Sequence, residues 1–88
     1  MSETRELRLK RLKIRSWRRG TKEMDMLLGP FADGPLLTLE EPELDAYEAL
    51  LNENDQDLYA WISGAAPTAA EHTAILGRVA AFHGIEMA

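Results

Sequence analysis

The sequence predicts an all-α fold, a compact single-domain bundle of about five short helices. Three observations carry this. Apolar residues recur at helical spacing through most of the chain. Glycine, proline and short polar clusters interrupt them at regular intervals. No segment shows the strict alternation of a half-buried strand. With 88 residues there is room for one modest core, so residues 1–88 read as a single domain.

The first helix is expected over residues 3–18, which contain neither Gly nor Pro. On a helical wheel Arg8, Arg11, Arg15, Arg18 and Arg19 share a narrow arc. Leu7, Leu9, Leu12, Ile14 and Trp17 fill the remainder. One face is therefore expected to be solvated and basic, and the other to pack. Gly20 breaks the pattern and is the expected N-cap of a second helix, with Glu23 three residues on to reach back to an unbonded N–H. Met24, Leu27, Leu28 and Phe31 form its apolar stripe. Pro30 should kink or shorten it, and Gly34-Pro35 ends it.

Thr38-Leu39-Glu40-Glu41 reads as a capping box opening a third helix, with Pro42 in its first turn and Leu44, Tyr47, Leu50 and Leu51 facing inward. A polar turn over residues 52–55 precedes a short fourth helix carrying Leu58, Trp61 and Ile62, which Gly64 should stop. A second capping box, Thr68 to Glu71, opens the last helix, whose inward face holds Ile75, Leu76, Val79 and Phe82. His72 and His83 fall on the same side and read as packing residues.

Composition excludes several functions. There is no cysteine, which removes disulfides, thiolate zinc sites and a thiol nucleophile. No apolar run approaches the roughly 20 residues of a membrane span, and the start of the chain lacks a signal-peptide core. These features lead to the expectation of a cytoplasmic protein. No phosphate-binding glycine loop is present, no serine has a base beside it, and neither histidine has a partner at ligand spacing. No catalytic, cofactor-binding or metal residue is assigned, and an enzyme is not expected.

The net charge of −5 conceals an asymmetry. Residues 1–22 hold nine of the ten Lys and Arg but only Glu3 and Glu6, a charge of +7, and the remainder carries −12. A basic helix could follow phosphates, with Trp17 stacking on a base. The acidic remainder would repel the same polyanion, so nucleic acid is disfavoured as a partner. A small nucleic-acid-associated or antitoxin-like regulatory protein using this helix is the alternative reading.

The most distinctive feature is the junction at residues 19–23, Arg19-Gly20-Thr21-Lys22-Glu23. Its spacing supports two readings equally. In one, the junction caps its own helix. In the other, a partner's backbone approaches Gly20, which has no Cβ, while Arg19 and Glu23 make charge-assisted hydrogen bonds across the contact.

The run Arg18-Arg19-Gly20-Thr21-Lys22-Glu23-Met24-Asp25 resembles the R-G-x-x-E signature of the SdhE family, the succinate dehydrogenase assembly factors also called flavinators. Leu27-Leu28-Gly29-Pro30-Phe31-Ala32, Tyr47-Glu48-Ala49-Leu50-Leu51 and Asp55-Gln56-Asp57-Leu58-Tyr59-Ala60-Trp61 continue the likeness in the same order and spacing. The resemblance implies an assembly factor that binds the flavoprotein subunit of succinate dehydrogenase, and in bacteria sometimes fumarate reductase. It would promote covalent attachment of FAD, which the client itself carries out. The factor would act as a chaperone-like monomer holding one state of its client, with no FAD of its own. Arg19, Gly20 and Glu23 would lie in the interface, and Arg15 and Asp25 beside them belong to the same partner-binding set.

Overall fold

In the computed structural model, which describes residues 3–86, five α-helices and two 3-10 turns form the expected bundle, with no strand among the described residues. Helix α1 spans Arg5–Trp17, α2 Lys22–Asp33, α3 Glu41–Leu51, α4 Asp55–Ser63 and α5 Thr73–Phe82. The 3-10 turns are Pro35–Thr38 and Ala70–His72.

The stops fall close to where glycine put them, whereas the starts are shifted. Gly64 ends α4 in the left-handed conformation at φ 83°, which only glycine adopts cheaply. The N-cap of α2 is Thr21, not Gly20, because the threonine hydroxyl can accept the Met24 N–H (3.3 Å) and glycine offers no side-chain acceptor. Glu23 thus sits at the second helical position, too early to close a capping box. Helix α3 does open with a reciprocal box, formed by Glu40 and Glu43 rather than by Thr38 and Glu41. Thr38 instead closes the preceding 3-10 turn by donating to the Pro35 carbonyl (2.8 Å). The Thr68–Glu71 box is not formed, since a 3-10 turn leads directly into α5. Helix α2 continues past Pro30 to Asp33.

Helices α1 and α2 pack closely through a glycine. A Cβ on Gly29 would lie 2.4 Å from the Trp17 ring, so the indole can lie on α2 only where no side chain intervenes. Its Nε1 donates to Asp33 (3.1 Å). Gly29→Ala is expected to lift the indole and destabilise the protein by about 1–3 kcal/mol, the usual cost of overpacking. Thermal melting followed by tryptophan fluorescence checks this, and an unchanged melting temperature would show that Trp17 moves aside freely.

Leu12, Leu28, Leu36, Leu44, Leu50, Leu58 and Leu76 are fully buried around Tyr47. The Phe31 ring stacks on Tyr47 at 5.4 Å. The Tyr47 hydroxyl lies 2.7 Å from Ser16 Oγ, and Ser16, also buried, donates back to the Leu12 carbonyl. Burial pushes the Tyr47 phenol up to about 12, against the opposing pull of the Ser16 hydrogen bond and the Arg19 charge. Ser16 is therefore a satisfied core hydroxyl. Leu7 and Ile14, expected to pack, are exposed, as is much of Phe82.

The basic arc of α1 is not a solvated face. Arg8 meets Asp45 (2.7 Å) and Glu48 (3.1 Å), Arg11 meets Glu48 (2.8 Å) and Glu3 (2.9 Å), and Arg15 donates to Asn52 (2.8 Å). The acidic side of α3 neutralises most of the arc, and Arg18 stays exposed. The Arg11 hydrogen bond holds the Glu48 carboxyl below the usual carboxylate range. A depressed folded value means that this stability is present above the unfolded pKa, about 4.3, and is lost as pH falls through the folded value. Glu48→Gln is expected to flatten the acid limb of the stability profile, by less than about 1 kcal/mol per pair. Denaturant melts from pH 7 to pH 3 test it, and parallel wild-type and mutant profiles would show that the network carries no weight.

Candidate functional site

The junction between α1 and α2 rests on the turn between α3 and α4. Arg19 reaches inward across that turn, and only 10 % of its side chain is exposed. Its Nε donates to Asp55 Oδ1 (2.8 Å), and its two terminal nitrogens donate to the Leu51 and Glu53 carbonyls (2.7 Å each). A planar guanidinium can serve three acceptors at once. One of these is the Leu51 carbonyl, which the end of α3 leaves without a helical partner, and another is the Glu53 carbonyl in the turn just beyond. The backbone N–H of Arg19 donates to Asp25 (2.6 Å), and that of Gly20 to the other Asp55 oxygen (3.0 Å). Asp55, at the first position of α4, thus ties both residues to the α4 N-terminus, where a carboxylate is favoured.

The space at Gly20 is tight. A Cβ there would come 3.2 Å from Asp55 Oδ2, so this neighbour would have to give way slightly. The glycine itself is exposed.

Glu23 points the other way. It is exposed and has no hydrogen-bond or ion-pair partner among the described residues. With Thr21, Met24, Asp55, Gln56 and Tyr59 it lines a cleft of about 360 Å³ between the N-terminal ends of α2 and α4. Tyr59 is 57 % exposed, an aromatic side chain at the rim with little to cover it. The cleft offers an unpaired carboxylate, the Met24 thioether side chain and a phenol ring, a combination suited to a protein interface and lacking any nucleophile–base pair.

The five residues assigned from sequence therefore divide. Glu23 faces outward, and Gly20 is exposed but its missing Cβ is turned toward Asp55, not toward solvent. Arg19 turns inward to Asp55 and the α3–α4 turn, Asp25 accepts the Arg19 backbone N–H, and both shape the junction. Arg15 lies away from the cleft, on the charged seam with α3. Tyr59 and Gln56, not singled out as site residues by the sequence reading, complete the cleft. An exposed tyrosine beside the junction suits a protein interface, but helical periodicity does not say which aromatic is left uncovered.

Glu53, Glu71 and His72 are the group of possible metal ligands among the described residues, with ligand atoms within 4.8 Å of one another. His72 is buried and its Nε2 lies 3.1 Å from Glu53, whereas Glu71 is exposed and 3.9 Å away. This is a hydrogen-bonded pair with a loose third carboxylate. His83 is exposed, with Nε2 2.6 Å from the Leu27 carbonyl. No helix among the described residues is long and apolar enough to cross a membrane.

A family profile described as "Flavinator of succinate dehydrogenase" matches residues 10–83. Among curated proteins, the chain is similar to the mitochondrial succinate dehydrogenase assembly factor 2 of Mycosarcoma maydis, 41% identical over 66 residues, covering 75% of this chain and 28% of that protein. It is 46% identical over 59 residues to the protein of the same name from Meyerozyma guilliermondii, covering 67% and 44%. The Saccharomyces cerevisiae protein is 47% identical over 51 residues, covering 58% and 32%. The chain thus spans less than half the length of each of these relatives. Each is named as mitochondrial, which overturns the cytoplasmic expectation. That expectation rested on the missing cysteines and signal core, features that fit a reducing organelle interior equally well.

Proposed function

The chain belongs to the flavinator family of succinate dehydrogenase, and from that premise we propose that it docks on the flavoprotein subunit through the Gly20–Glu23–Tyr59 surface and promotes covalent FAD attachment. The observation that carries this reading is the exposed Glu23 carboxylate, without a partner among the described residues, which lines with Tyr59 a cleft whose Asp55 is fixed by the internally locked Arg19. Glu23 and Gly20 make the contact, and Arg19 and Asp25 hold them in place. The mitochondrial setting of the named relatives is the setting proposed for this chain.

The protein acts by binding one conformation of its client more tightly than another, which shifts the client toward that state. The client's own groups form the bond to the flavin. FAD is held by the client and not by this chain. The exposed Glu23 carboxylate at the cleft supports this, since it would repel a pyrophosphate. The basic arc, paired with α3, leaves little cation to attract nucleic acid, which removes support from the alternative reading.

The test is covalent flavin on the flavoprotein subunit, read as fluorescence of the denatured band in cells with and without this protein. Flavinylation should fall severalfold without it, and an unchanged band would refute the reading. Tyr59→Ala should fold normally and weaken client binding about thirtyfold, the range of an interfacial aromatic anchor. Calorimetric titration against the purified subunit measures it, and equal affinities would remove Tyr59 from the interface.

A further inference from the structure

We infer that His72, in the 3-10 turn before α5, is a positioning residue for the docking junction, acting through Glu53. The turn joining α3 to α4 is gripped from two sides. From one side Arg19 takes the Leu51 and Glu53 carbonyls and the Asp55 carboxylate. From the other, His72 Nε2 meets the Glu53 side chain at 3.1 Å. Glu53 is therefore held by its main chain from the junction and by its side chain from the C-terminal part of the chain.

The histidine is well placed to act as a fixed post. It is 4 % exposed, and its ring lies against Trp61 at 5.6 Å, so it has little room to swing. Its buried Nδ1 has no hydrogen-bond partner among the described residues, an arrangement that leaves Glu53 as the ring's main polar attachment. A buried polar ring with one nitrogen unsatisfied is costly as mere packing. A leucine of similar volume would fill the space without that cost. The side chain that stands there is one able to orient Glu53. Displacement of Glu53 shifts the carbonyl that anchors Arg19, and Arg19 shares Asp55 with Gly20. The last third of the chain thereby sets the geometry of a surface to which it contributes no residue.

The inference rests on the docking role proposed for the junction, but its structural half can be measured without a client. Two substitutions of similar bulk separate orientation from packing. His72→Gln keeps an N–H donor near the position of Nε2, and His72→Leu keeps volume alone. Hydrogen exchange at the Arg19 Nε–H and the Gly20 N–H is followed by NMR in the full chain. His72→Leu should speed exchange at both by about tenfold, the order of one charge-assisted hydrogen bond. The Leu58 and Leu76 amides should be unaffected, and His72→Gln should restore protection. Client affinity should follow the same order, about tenfold weaker for His72→Leu and near wild type for His72→Gln. Unchanged junction exchange in His72→Leu, or a global rise in which His72→Gln shares, overturns the coupling. If exchange behaves as expected and even the wild type fails to bind the flavoprotein subunit, the coupling stands and the docking role falls.

Discussion

Arg19→Ala is expected to lower the stability of the protein by about 3–5 kcal/mol, the cost of breaking a buried ion pair from one side. The loss has three parts. Asp55 keeps its charge without the guanidinium, and the Leu51 and Glu53 carbonyls lose their donors in a partly buried turn. The Gly20 N–H bond to Asp55 then has less to hold it in register. For a domain of this size the melting temperature should fall by at least about 12 °C. Arg19→Lys should recover only part of this, because an ammonium can face Asp55 but cannot also span both carbonyls. Calorimetric melting of the three proteins decides the matter. A shift of under about 3 °C for the alanine variant would mean that the internal contacts carry little, and that Arg19 is available to a partner after all.

Glu23→Arg should show the opposite profile. The side chain is exposed, has no partner among the described residues and does not cap its helix, so stability should change by no more than about 0.5 kcal/mol. Most of that change, a few tenths of a kcal/mol, comes from placing a cation near the helix N-terminus. Docking, in contrast, should weaken by at least about 100-fold, since a charge that fits its site is replaced by one that opposes it. Flavinylation in cells should then fall to the level seen without the protein. Circular dichroism and the flavin-fluorescence assay on the same variant read the two effects separately. Wild-type flavinylation by a folded Glu23→Arg protein would move the contact away from the cleft.

The contrast between these two residues shows where sequence reasoning reached its limit. Arg19 and Glu23 stand four positions apart, and spacing alone gives them equivalent roles. What separates them is Asp55 and the end of α3, more than thirty residues further on, which draw Arg19 inward. The arginine arc of α1 was legible as a face, but periodicity does not say what lies opposite a face. Asp45 and Glu48 lie there. The same limit applies to Leu7 and Ile14, whose apolar character predicted packing that no neighbouring helix supplies. The inward residues of α3 were readable in full, because α1 and α5 both pack against this helix and cover its stripe of large apolar side chains. Helix stops marked by glycine were readable because backbone conformation is a local property. Starts were less so, since Gly20 and Thr21 both lie at the turn and the hydroxyl geometry chooses between them.

The charged seam between α1 and α3 has a consequence for the route to the fold. In the unfolded chain a segment of +7 precedes one of −12, and the native pairs join residues about 37 to 40 positions apart. Opposite charges attract over a Debye length of about 10 Å at 0.1 M salt, well beyond hydrogen-bond reach. Once chance motion brings the first helix within that distance of the third, the attraction favours their native pairing. That attraction offsets part of the loop-closure entropy that otherwise slows contacts distant in sequence. The opposed charges of the two halves thus favour the pairing of α1 with α3, whatever small share they hold in the stability of the finished bundle.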